Sequence, residues 1–212
     1  MLSFNHKERK YFMIETIFAV LVLIFSVVAH EVSHGYMALR LGDPTARLAG
    51  RLTMNPLRHI DPIGSVILPL LTIPTGYAFG WAKPVPYNPY NLSDQKWGDT
   101  KVALAGPFTN IGIALIFGLM IRYGVNSFSE EVLHLLTVIV GTNIVLAVFN
   151  LMPIPPLDGS KLLLNLLPYR YRYIGEYMER YSLVFLLIFI FFLWQMFQPV
   201  IGYLFGLITG TL

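Results

Sequence analysis

Residues 13–34 read MIETIFAVLVLIFSVVAHEVSH. After Thr16 all but one position up to Ala29 is apolar, and the run meets two histidines and a glutamate with no turn residue between. A run of this kind, about 20 residues, suits a helix that crosses the hydrocarbon layer. On that helix His30 and His34 lie one turn apart on one face, so both imidazoles can reach one ion, while Glu31 lies alongside its open position. Five His and seven Glu in 212 residues predict about 0.004 such HExxH patterns by chance. The rival reading is two packed histidines and a glutamate reaching for water. Ionisable groups inside an apolar span cost about 2.5–3.5 kcal/mol each on insertion scales, which favours a metal site. Zinc there would bring its water towards a pKa of about 7, and an adjacent carboxylate could take the proton and return it to a leaving amine.

The rest of the chain agrees with a membrane setting. Hydrophobic residues make up 55% and charged ones 13%, too apolar for an ordinary soluble domain. The net charge of +3 is scattered and gives no basic patch for nucleic acid. There is no cysteine, which excludes disulfides and thiolate metal sites. Residues 14–29 lack a small-residue cleavage site, so the first apolar run is read as retained.

The apolar blocks are residues 11–41, 63–79, 102–123, 132–152 and 182–212, joined by short polar connectors. The expected fold is therefore an all-α polytopic membrane protein with about four full spans, forming one domain over residues 1–212. The 63–79 block carries Gly64, Pro69, Pro74 and Gly76, which argues for a re-entrant or broken segment over an ordinary fifth span. Residues 47–54 (RLAGRLTM) and 80–87 (GWAKPVPY) are expected to be short β-strands or extended loops near the site. The last block is one helix kinked near Pro199, or a span plus a tail.

A catalytic zinc usually takes three protein ligands. His6 and His134 fall near segment ends, and Glu130 and Glu131 fall in a short connector. Asp158 follows an apolar block and the proline-broken stretch NLMPIPPLDG (residues 150–159), where an opened backbone faces a cavity instead of lipid. A buried carboxylate stays ionised beside a divalent cation, and Asp158 with Glu31 would balance its charge. Glu176 and Glu179 are the alternative third ligands, in a polar stretch before the last span.

HEVSH in an early span, GPFTN (residues 106–110) in a middle one and NLMPIPPLDG in a later one, in that order, resemble the site-2 protease family of intramembrane zinc metalloproteases. NPLRHIDPIGS (residues 55–65) and GWAKPVPYNPYNL (residues 80–92) resemble its small prokaryotic members without a PDZ domain. The resemblance covers roughly residues 15–170. It implies His30, His34 and Asp158 as ligands of one catalytic zinc and Glu31 as catalytic base. It also implies a prokaryotic cell membrane and membrane-anchored protein substrates, cleaved in regulated intramembrane proteolysis. Asn150 stands where the family has a cleft asparagine, implying a hydrogen bond to substrate backbone or oxyanion; a helix-end asparagine capping loose carbonyls is the other reading. Asn110 either closes helix packing or serves the site, and His59 and Asp61 read as turn-fixing. Where many relatives carry a second glycine, this chain has Ser160. A metal transporter or a silent scaffold using the same His/Asp cluster are the other function classes.

Depth and charge then constrain topology. Phe12 to His30 is about 27 Å of helix, so the motif lies near the far end of its span. Asp158 also ends its block, so both blocks enter from one side and the 63–79 block must return to the side it left. Eleven Lys/Arg (40, 47, 51, 58, 83, 96, 101, 161, 170, 172, 180) fall on the motif side and four (7, 9, 10, 122) on the other. The positive-inside rule places the site nearer the cytoplasmic face.

Overall fold

The computed structural model describes residues 6–67 and 82–211. Its long helices are α1 (His6–Arg40), α3 (Gly98–Gly124) and α4 (Glu130–Asn150), with shorter ones α2 (Thr45–Leu48), α5 (Gly159–Leu166), α6 (Arg172–Arg180), α7 (Ser182–Ile188) and α8 (Gln198–Thr209). Among the described residues four stretches are long and apolar enough to cross a membrane: Met13–Arg40, Gly98–Gly124, Glu130–Asn150 and Ser182–Thr209. The four expected full spans are therefore present. The rest of the 63–79 block beyond a π-helical turn at Pro62–Ile67 lies outside the described residues. The last span runs without interruption from Ser182 to Thr209, the single-helix alternative, with a π turn (Phe189–Leu193) and a 3-10 turn (Trp194–Phe197) linking α7 to α8. Pro199 sits in the first turn of α8, where its missing N–H costs nothing.

α3 is the central helix, packed against α1, α4 and α8. Ala114, Ile121, Val140 and Ile144 form the main core, with Trp194, Phe197 and Ile208 against it. Helices in lipid gain nothing from hiding apolar surface, so close approach at small residues matters more. A Cβ on Gly118 would stand 2.3 Å from Ile208 Cγ2, so α8 can lie this near only because that position is bare. Ser129 caps α4 and Glu130 and Glu131 occupy its first turn, an arrangement matched to the helix dipole.

No β-strand occurs among the described residues, which corrects the strand form expected for 47–54 and 80–87, while residues 80–81 lie outside the described residues. In the first, local hydrogen bonding wins. Gly50, at φ +63, ends α2 with Gly50 N–H bonding Arg47 O and Arg51 N–H bonding Ala46 O, the two bonds of a Schellman stop. Gly42 (φ 104) ends α1 in the same way, with Asp43 N–H on Ala38 O. In the second, residues 82–88 carry no regular secondary structure and join no ladder, because Pro84 and Pro86 remove alternate donors.

That segment is tied to the end of α1. The Asp43 carboxylate is fully buried and accepts from Asn88 N–H (2.7 Å), Asn91 Nδ2 (2.8 Å) and Thr45 Oγ1 (2.6 Å). Burial pushes the carboxyl up, but these donors outweigh it and hold the group below the usual carboxylate range. Lys83 N–H bonds His59 O at 2.8 Å, and Arg51 Nη2 donates to Lys83 O at 2.8 Å. The chain on either side of residues 68–81 thus meets at one end of the bundle.

Candidate metal centre

α1 delivers His30 and His34 on one face, both buried, with ring centroids 4.7 Å apart and planes nearly perpendicular. α3 fixes both rings from behind. His34 Nδ1 lies 2.7 Å from Val102 O, and His30 Nδ1 lies 2.6 Å from Asn110 Oδ1. A carbonyl oxygen only accepts, so Nδ1 of His34 carries the hydrogen and its Nε2 presents a lone pair. The amide oxygen of Asn110 sets His30 in the same way.

Asp158 arrives from the far end of the chain. The loop after α4 folds back tightly, and Gly159 permits it: a Cβ there would stand 2.1 Å from Leu151 O. Asp158 precedes α5 without capping it. Its Oδ2 lies instead 3.0 Å from His30 Nε2 and 3.4 Å from His34 Nε2. With hydrogen on both Nδ1 atoms, two Nε2 atoms and a carboxylate oxygen converge, and a positive charge must sit among them: a bound metal ion, or a proton held as imidazolium. Asp158 Oδ2 has no hydrogen-bond partner despite complete burial of that atom. Of these two charges, a divalent cation satisfies all three ligand atoms at once. Two imidazole nitrogens and a carboxylate oxygen suit zinc, whose tetrahedral ligand atoms stand about 3.3–3.4 Å apart for bonds of about 2.0–2.1 Å. Gly106 of α3 keeps the space open, since a Cβ there would lie 2.6 Å from Nε2 of both histidines.

Glu31 joins the same group: one ligand atom each of His30, Glu31 and His34 lie within 4.8 Å of one another. Among the described residues no other set of three such side chains converges. Glu31 Oε2 accepts Val85 N–H at 2.9 Å, so the segment at residues 82–88 pins the carboxylate. Val85 is the residue between the two prolines, and its N–H is spent on Glu31.

His30, Glu31, His34 and Asp158 are therefore brought together. Asn150 is not joined to them by any hydrogen bond among the described residues; its Nδ2 donates to Leu146 O one turn back, at 2.9 Å. His134 pairs with Glu15 at 3.5 Å towards the other end of the bundle. His59 Nε2 reaches Thr53 O, and Asp61 Oδ1 accepts from Ile63 and Gly64 N–H, both the turn-fixing roles their prolines suggest. Glu179 lies 3.8 Å from Lys161 Nζ and does not join the cluster of His30, Glu31 and His34. Sequence reasoning left Asn110 open and missed Asn143 and Ser26. Asn110 Nδ2 donates to Asn143 Oδ1 at 2.8 Å, and Asn143 Nδ2 to Ser26 Oγ at 2.9 Å. The available signal was an amide in the middle of an otherwise apolar span.

A family model described as peptidase family M50 matches residues 119–193. The chain is 35% identical over 192 residues to "Putative zinc metalloprotease YwhC" of Bacillus subtilis, covering 84% of this chain and 85% of that protein. It is 29% identical over 166 residues to "Putative zinc metalloprotease Rip2" of Mycobacterium tuberculosis, covering 78% of this chain and 63% of the relative. "Zinc metalloprotease MJ0392" of Methanocaldococcus jannaschii is 24% identical over 155 residues, 73% of this chain and 35% of its own. No solved structure matches.

Proposed function

Because the chain belongs to peptidase family M50, the site-2 protease family of zinc metalloproteases, we propose that it hydrolyses peptide bonds of membrane-anchored proteins at or within the bilayer, in regulated intramembrane proteolysis. The observation that carries this reading is the buried convergence of His30, His34 and Asp158 beside Glu31. These three residues would hold the zinc. When bound, zinc activates a water and polarises the scissile carbonyl. Glu31 takes the water's proton on the oxygen that Val85 leaves free and delivers it to the departing amine. The Val85 N–H holds the carboxylate in place throughout. Asn150 leaves Leu146 O to donate to substrate backbone or to the developing oxyanion.

A transmembrane helix hides its peptide bonds in its own hydrogen bonds, so the substrate must unwind locally. Residues 82–88 lie beside Glu31 and suit pairing with an extended strand. Pro84 and Pro86 have no N–H, so that edge offers them only as carbonyls and the substrate supplies the donors. The spans act as one integral-membrane protease domain in a prokaryotic cell membrane. The Lys/Arg distribution supports a site nearer the cytoplasmic face.

The test is cleavage of a single-pass model substrate in liposomes, with the cut mapped by mass spectrometry. Wild type cuts within or at the edge of the span. Glu31→Gln keeps its zinc and its bond to Val85, yet loses about 10²–10⁴-fold in rate. Cleavage at full rate by that variant, or cuts only in soluble flanks, would refute the reading.

A further inference from the structure

We propose that Asn143, a residue of α4 with no hydrogen bond to His30 or the ligand group among the described residues, is a positioning residue that fixes which nitrogen of His30 faces the metal. The proposal rests on the zinc reading above. Its basis is the polarity of a buried chain running Ile139–Asn143–Asn110–His30. Backbone carbonyls accept and never donate, and two of them anchor the chain.

Asn143 Nδ2 lies 2.9 Å from Ile139 O and 2.9 Å from Ser26 Oγ. A flipped amide would set its oxygen against the Ile139 carbonyl, so the NH₂ stays there and Oδ1 faces α3. Asn110 meets that oxygen with Nδ2 at 2.8 Å, and the same nitrogen lies 3.3 Å from Ser26 O. The second carbonyl thereby orients the second amide. Asn110 Oδ1 is left facing His30 Nδ1 at 2.6 Å and can only accept. His30 must then carry its hydrogen on Nδ1 and present Nε2 to the site. Asn110 and Asn143 are both 0% exposed, so water offers no alternative partner.

The two histidines are thus controlled differently. His34 is set by a main-chain carbonyl, Val102 O, which cannot rotate. His30 is set by two rotatable amides and depends on α1, α3 and α4 keeping their register. Removing the Asn143 oxygen leaves Asn110 with only its long bond to Ser26 O against flipping. A flipped Asn110 would face His30 Nδ1 with an NH₂ and favour the tautomer with hydrogen on Nε2, which cannot bind metal there.

The experiment measures zinc Kd by chelator competition for purified full-length wild type, Asn143→Leu, Asn143→Asp and Thr209→Val. Wild type binds one zinc. Asn143→Leu weakens binding about tenfold, the lower end for outer-shell changes. Asn143→Asp stays within about threefold, because it keeps the accepting oxygen and, protonated when buried, still donates to Ile139 O. Thr209→Val, which removes a hydroxyl of another buried residue that bonds Phe205 O, stays at wild type. Equal affinity in Asn143→Leu, or equal loss in Asn143→Leu and Asn143→Asp, overturns the proposal. A wild type without zinc removes the metal reading itself, and the proposal with it. Should Asn143→Leu fail to fold, ¹⁵N-histidine NMR of zinc-loaded wild type decides: hydrogen on Nδ1 of both coordinated rings supports the proposal, and metal on an Nδ1 overturns it.

Discussion

Gly106→Ala isolates the ligand geometry from the stability of the bundle. The added methyl would stand 2.6 Å from His30 Cε1, His30 Nε2 and His34 Nε2, where ordinary contact begins near 3.4 Å. One partner must retreat by about 0.8 Å. The rings are tethered by Nδ1 contacts of 2.6 and 2.7 Å, and metal–ligand distances tolerate only about 0.2 Å. Moving α3 gives no relief, because Asn110 and Val102 ride on the same helix. A misplacement of about 1 Å costs roughly 10²-fold in rate, and zinc Kd should rise about 10–100-fold. Helix propensity works the other way, since Gly to Ala inside a helix gains about 0.5–1 kcal/mol. Gly112→Ala, in the same helix with nothing within 4 Å of the new methyl, is the control. It should keep zinc and activity and melt no lower than wild type. Zinc Kd, kcat/KM on a model substrate and a thermal melt in detergent complete the comparison. Wild-type zinc affinity in Gly106→Ala, or equal loss in Gly112→Ala, would refute the reasoning.

Three further outcomes follow from the fold. The carboxyl of Asp43 is held below its usual range, so its stabilisation is complete above about pH 3.9 and is lost as pH falls through the depressed value. Wild type should therefore lose melting temperature at acid pH more steeply than Asp43→Asn, which should already be about 1–3 kcal/mol less stable at pH 7. The Tyr87 hydroxyl donates to Asp99 Oδ1, and burial together with that carboxylate holds the phenol protonated far above its usual range. Tyr87→Phe should cost about 1–3 kcal/mol in a chemical melt, and ultraviolet titration should show one fewer tyrosine resisting ionisation. Gly118→Ala drives a methyl into Ile208 and should cost about 1–3 kcal/mol while leaving zinc Kd unchanged.

The four spans were legible because bilayer thickness imposes a length that apolar runs display directly. His30, Glu31 and His34 were legible because helical spacing alone puts them together. Asp158 was a candidate from its proline-opened surroundings, but its approach to the histidines depends on Gly159 folding the loop against Leu151 O, a tertiary fact. Residues 47–54 misled because β-compatible residue types were outweighed by a local stop at Gly50. Residues 80–87 looked strand-like, and the prolines that limited pairing also removed the ladder. The Val85–Glu31 bond spans 54 positions and leaves no pattern in the sequence. Asn143 was hidden for the same reason: its partners lie on two other helices. Asn150 carried a family expectation, whereas in the fold its amide is engaged by its own helix.

Zinc content and the zinc K-edge absorption spectrum of the purified chain address the ligand set itself. One zinc per chain, with nitrogen and oxygen neighbours at about 2.0–2.1 Å, imidazole outer-shell scattering, and loss of the metal in His34→Ala and Asp158→Ala is the predicted result. An active preparation without zinc, or a zinc retained in full by both variants, would contradict it.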